Sequence, residues 1–68
     1  MWKAYYIICV QAYIYEDTKT EYKTGDIQWK PKECRPIQNP AWRRATDTEV
    51  DEWITKTGKY DMRQTINP

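Results

Sequence analysis

The chain contains no histidine, so the commonest general base is missing. Its two glycines, Gly25 and Gly58, stand far apart, and neither a Gly-rich phosphate loop nor a G-x-S-x-G turn is present. Two cysteines, Cys9 and Cys34, with no C-x-x-C pair, supply neither a zinc-ligand set nor a secreted disulfide framework. The expectation is two small, reduced, buried hydrophobes, with a Cys9–Cys34 bridge as the alternative. No apolar run approaches the roughly 18 residues that a spanning helix needs. The N-terminus also lacks a charged leader region and a small-residue cleavage site. A soluble protein of the cytoplasm, with no signal peptide, is expected. Charge of one sign is lacking too: 11 Lys and Arg face 10 Asp and Glu, a formal net of +1.

What is present is aromatic. Ten of the 68 residues are Trp or Tyr, so the composition is not that of a disordered chain despite its low mean hydropathy. A single domain, residues 1–68, is expected. A domain of this size buries only about 60% of the surface its unfolded chain exposes, and self-association or a partner often adds to such stability.

The stretch Trp2 to Tyr15 reads as one long β-strand, because it is rich in Tyr, Ile, Val and Trp and holds no Gly or Pro. Alternation assigns Trp2, Ala4, Tyr6, Ile8, Val10, Ala12 and Ile14 to the core and leaves the odd positions partly solvated. Tyr5, Tyr13 and Tyr15 then read as cross-strand packing, or alternatively as an aromatic platform. Residues 16–20 suit a turn. A second strand follows over 20–30, with Gly25 as a bulge or, in the alternative, as a tight turn that divides it.

Residues 30–40 hold three prolines and read as a stiff, extended connector. The connector is basic: over residues 27–46, Lys30, Lys32, Arg35, Arg43 and Arg44 oppose only Glu33. The sign then reverses at Asp47, Glu49, Asp51 and Glu52. A helix over 47–57 is expected from the Thr46/Glu49 capping box, Gly58 beyond the C-terminus and the spacing of Val50, Trp53 and Ile54. Asn39 as cap and Pro40 at a first helical position leave open a start at residue 40. Residues 59–66 alternate with a period of two and read as the last strand.

These elements predict an α+β fold, a small two-layer sandwich in which one helix packs on an antiparallel sheet of about three strands, in the order strand, strand, helix, strand. The alternative drops the helix and gives a small all-β barrel.

The function class expected is non-enzymatic, with no cofactor and no metal. Asp47 and Asp51 share a helix face, but a run of acids there reads as a solvated side. A chain this short is not expected to enclose, without a partner, a pocket of several hundred cubic ångströms. Binding remains. The first reading is a module that covers a functional surface of a larger protein, with Lys30, Lys32, Arg35, Trp42, Arg43 and Arg44 as candidate contacts. The alternative is nucleic acid, with the same cations on phosphates and Trp29 or Trp42 stacking on bases. A third is a homodimer in which the basic connector of one copy meets the acidic helix of another. The opening Lys3-Ala4-Tyr5-Tyr6-Ile7-Ile8 resembles the first strand of small phage-encoded inhibitors, some anti-CRISPR proteins among them. The resemblance spans about ten residues. It implies a viral, occluding binder acting in a host cytoplasm, and it carries no site residue over.

Overall fold

Tyr6, Cys9 and Val50 hold the two cores of the fold, and β1 (Tyr5–Cys9) runs between them. The structure is a computed structural model and describes residues 2–65. β2 (Tyr13–Tyr15) pairs antiparallel with β3 (Thr20–Tyr22) in a separate two-stranded sheet. β4 (Ile27–Lys30) and β5 (Trp42–Arg44) flank β1 on either side, both antiparallel, so the main sheet has the order β4-β1-β5. The helix α1 (Asp47–Thr57) and a short 3-10 helix (Met62–Thr65) complete the α+β fold, and among the described residues no barrel closes.

Register decides which side chains meet. Tyr5 lies opposite Lys30, Tyr6 opposite Trp29, Ile8 opposite both Ile27 and Arg43, Ile7 opposite Arg44, and Cys9 opposite Trp42. Directly opposed residues project from the same face. One face therefore carries Tyr6, Ile8, Ile27, Trp29 and Arg43, and α1 lies over it with Val50, Trp53 and Ile54. Trp29 and Trp53 both meet the Tyr6 ring edge-on, with centroids at 4.8 and 5.6 Å. The other face carries Tyr5, Ile7, Cys9, Trp42 and Arg44. Tyr13, Tyr22 and Ile37 pack against its Cys9 and Trp42 end.

The helix has the expected bounds. The Thr46 hydroxyl accepts from the Glu49 N–H, the Glu49 carboxylate accepts from the Thr46 N–H, and Gly58 ends the helix at φ 69°.

Several expectations require correction. The single strand over 2–15 is two strands, since beyond Val10 the chain outruns both neighbours and bends across to the second sheet. Of the expected core set, Trp2, Val10 and Ile14 are exposed, while Cys9 from the opposite face is buried. The strand over 20–30 is divided, as the alternative had it. A turn closes from the Asp26 N–H to the Lys23 carbonyl, with Gly25 at φ 96°, a region that favours glycine.

The third strand of the main sheet is Trp42–Arg44 and not residues 59–66. Asn39 and Pro40 build a β-turn: the Asn39 side-chain oxygen accepts from the Ala41 N–H and its carbonyl from the Trp42 N–H. Proline with φ near −65° suits the second position of that turn as well as the first turn of a helix. The connector is likewise not extended throughout, because the Cys34 N–H closes a turn onto the Pro31 carbonyl. In residues 59–65 the period of two is overridden. The Tyr6 hydroxyl donates to the Tyr60 carbonyl and accepts from the Met62 N–H, and Asp61 caps the 3-10 helix by accepting from the Arg63 N–H. Ile66 lies outside the described residues.

Candidate functional site

The cations of the basic stretch divide into those answered within the chain and those left open. Arg43 projects on the helix side and makes a two-pronged contact with Glu49, at 2.9 and 2.7 Å. Bidentate geometry of this kind is the strong form of the arginine–carboxylate pair. The Arg43 guanidinium, and after it the Thr46 backbone N–H, holds the Glu49 carboxyl down at about 2. Lys30 is 5% exposed; its ammonium donates to the Cys34 carbonyl at 3.1 Å and lies 4.7 Å from the centre of the Tyr5 ring. It holds the Pro31–Cys34 turn against β1. Trp42 is 8% exposed, its indole N–H donates to the Tyr13 hydroxyl at 2.6 Å, and the Tyr22 ring meets it edge-on.

Three of the six candidate residues, Lys30, Trp42 and Arg43, are thus occupied by the fold. The other three are exposed. Arg44, on the opposite face from Arg43, lies with its guanidinium carbon 5.1 Å from the centre of the Tyr5 ring. Among the described residues, no carboxylate lies within 4.0 Å of Arg44, Lys32 or Arg35. The Lys30 contact folds the turn that carries Lys32 back toward Tyr5, and Arg35 follows directly after Cys34. The Lys32 carbonyl also accepts from the Trp2 N–H, which ties the same turn to the start of the chain. Two cations share the Tyr5 ring, and since the Lys30 ammonium is buried on the Cys34 carbonyl, Arg44 is the exposed one of the pair.

Arg63 was not a candidate, and it organises the acidic side of the molecule. Its guanidinium reaches Asp51 at 2.6 Å, Asp61 at 2.8 Å and Asp47 at 3.3 Å. Asp61 first, then Asp51, pushes the Arg63 pKa up, and Arg63 in turn holds the Asp61 carboxyl below its ordinary range. Asp47 and Asp51 do share a helix face. Their spacing was the available signal for a cation in the cleft, and the run 59–66, read as a strand, obscured which residue would supply it.

A pocket of about 330 Å³ opens between these two regions. Tyr5 and Tyr6 of β1 with Ala4 just before it, Arg44 of β5 with Ala45 just after it, and Asp47 and Val50 of α1 line it, with Arg63 on one side. It is an open cleft and not an enclosed cavity, so it does not contradict the expectation that the chain is too short to enclose one. Tyr5 lines this pocket while Tyr13 packs on Tyr22 across the strand pair, as the first reading of these tyrosines had it and not the alternative of a shared platform. Cys9 is buried and Cys34 exposed, both as free thiols, so burial holds for only the first.

No protein-family model, no curated protein and no solved structure matches the chain. No described helix is long and apolar enough to cross a membrane.

Proposed function

We propose that the chain is a non-enzymatic binding module of the occluding, inhibitor type, which docks the surface around Tyr5 onto an acidic patch of a larger protein. One observation carries the reading. Among the described residues, Lys32, Arg35 and Arg44 have no carboxylate partner, whereas Arg43 and Arg63 each have one or more. Complementary charge of this kind steers encounter and selects partners.

Two contrasts favour a protein over nucleic acid. Trp42 is buried, and Trp29 is half-buried and packed against Tyr6 in the helix-side core, so neither stands out from the surface as a stacking platform. The net charge of +1 also falls short of the strongly basic footprint that phosphate binding favours. Self-association is less favoured for a similar reason, since Glu49, Asp47 and Asp51 are already engaged by Arg43 and Arg63.

The test is affinity capture from a lysate of the source cell, with and without nuclease, by the wild type and by the Lys32→Glu, Arg35→Glu, Arg44→Glu triple variant. The wild type is expected to retain a protein that nuclease does not release. Loss of even two of the three interfacial charge pairs, each about 2 kcal/mol, lowers affinity about 1,000-fold. Thermal stability should change little, as the three side chains are exposed. Equal retention by both forms, or retained material that nuclease removes, overturns the reading.

A further inference from the structure

We infer that the outer edge of β4 is a self-association surface, where two copies of the chain pair β4 to β4, antiparallel about a two-fold axis, and join their main sheets into one. The inference goes beyond the acidic-partner reading and uses none of its three cations. Main-chain bonding identifies the edge. The Cys9 N–H donates to the Asp26 carbonyl at 2.8 Å, so the odd residues of β1 bond toward β4, and the Ala45 N–H donates to the Tyr6 carbonyl at 2.9 Å, so the even ones bond toward β5. Bonded and non-bonded pairs alternate along an antiparallel ladder. Gln28 and Lys30, opposite Ile7 and Tyr5, therefore bond to β1, and Ile27 and Trp29 turn their N–H and carbonyl groups outward. Among the described residues nothing donates to or accepts from those four groups.

The opposite edge of the same sheet is blunted. In β5 the residues that face outward are Trp42 and Arg44. The Trp42 N–H is taken by the Asn39 carbonyl, and the Arg44 carbonyl by the Arg43 guanidinium at 3.1 Å. Short length and charged side chains add to the protection. β4 has none of these devices: Ile27–Lys30 holds no proline, and its one cation, Lys30, is buried on the Cys34 carbonyl. An edge of this kind is a template for another strand.

A second copy is the strand that fits, because the edge is its own complement. With the axis at Gln28, Ile27 lies opposite Trp29 of the second copy, and Trp29 opposite its Ile27. Each of these pairs exchanges two main-chain hydrogen bonds, which uses every outward group of both strands. The side chains also match. Ile27 and Trp29 are half-buried on the helix-side face, so an aromatic side chain meets a β-branched one twice. On the other face the two exposed Gln28 amides meet at the axis, each with a donor and an acceptor to offer. Asp26 falls opposite Lys30 of the second copy, so no charge opposes its like. The pairing needs none of the helix carboxylates that Arg43 and Arg63 engage. It consumes both β4 edges and leaves the joined sheet ending on β5 at either side, so the sheet stops at two copies.

Four residues a side make a small interface, so the dimer is a weak one that dilution dissociates. In sedimentation equilibrium of the full chain, the apparent mass should rise above 8.3 kDa by about 1 mM and tend toward twice that value. Amide shifts on dilution should centre on Ile27 and Trp29. Gln28→Lys and Gln28→Glu each set like charges against one another on the axis. Either should weaken association about tenfold or more, with an unchanged circular dichroism spectrum because Gln28 is exposed. Mixed in equal amounts, the two variants should associate again, since unlike charges then meet. A wild type that stays at 8.3 kDa throughout overturns the inference. So does association of either variant alone that equals the wild type's, or a mixture that associates no better than its components. Dilution shifts centred on Trp42 and Arg44 move the contact to the other edge and overturn it as well.

Discussion

Replacing Tyr6 by Ala is expected to unfold the domain at physiological temperature. Tyr6 is 3% exposed, at the centre of the helix-side core, where Trp29 and Trp53 meet its ring and Ala45 and Val50 pack beside it. Truncating a buried aromatic costs about 3–5 kcal/mol, and the loss of two edge-on ring contacts puts this site at the upper end. The hydroxyl adds a second loss, since it ties the Tyr60 carbonyl and the Met62 N–H to the core. A 68-residue domain has roughly 3–10 kcal/mol of total stability. The variant should therefore show no cooperative thermal transition, or one lowered by roughly 20–40 °C, in circular dichroism. Tyr6→Phe separates the two contributions. It should cost only about 1–2 kcal/mol and raise hydrogen exchange chiefly at residues 60–64. A transition in Tyr6→Ala within a few degrees of wild type would contradict the placement of the core.

Trp42→Ala should cost about 3–4 kcal/mol and loosen the second sheet before the first. The β2–β3 hairpin has two strands only, and an isolated pair of that size is marginal in water. Tyr13 and Tyr22 attach it to the body: their rings pack on each other, Tyr22 meets Trp42 edge-on, and the Trp42 indole N–H donates to the Tyr13 hydroxyl. Without the indole, amide protection at residues 13–22 should fall more than at residues 5–9. A stability change below about 1 kcal/mol together with lost partner binding would instead return Trp42 to the surface.

The Trp42 result bears on how the chain can be read without its structure. The helix over 47–57 was legible because every signal for it is local: the Thr46/Glu49 box, Gly58, and Val50, Trp53 and Ile54 at helical spacing. The elements that were misread are those decided at a distance. Nothing within Trp2–Tyr15 marks the break after Val10, which is imposed by where β4 and β5 end. Nothing within 59–66 announces that the Tyr6 hydroxyl will hold Tyr60 and Met62 out of a strand. Asn39-Pro40 carries chemistry that a turn and a helix start share, and the chain uses the turn.

The same limit governs the site. Arg43 and Arg44 are neighbours of one type, and only strand geometry sends them to opposite faces, one onto Glu49 and the other onto Tyr5. A basic stretch is visible in the sequence. Which of its cations the fold consumes is not, because Lys30 and Arg43 find their partners in the Cys34 carbonyl and in the helix N-terminal turn.

That division between the two arginines is the centre of the account, and one paired measurement tests it most directly. Arg43→Gln and Arg44→Gln are compared by isothermal titration against the captured partner, with thermal unfolding measured on the same samples. The account predicts that Arg44→Gln weakens binding about tenfold or more with an unchanged transition, and that Arg43→Gln lowers the transition while leaving affinity within about twofold. Weakened binding in Arg43→Gln, with Arg44→Gln like wild type, would contradict it.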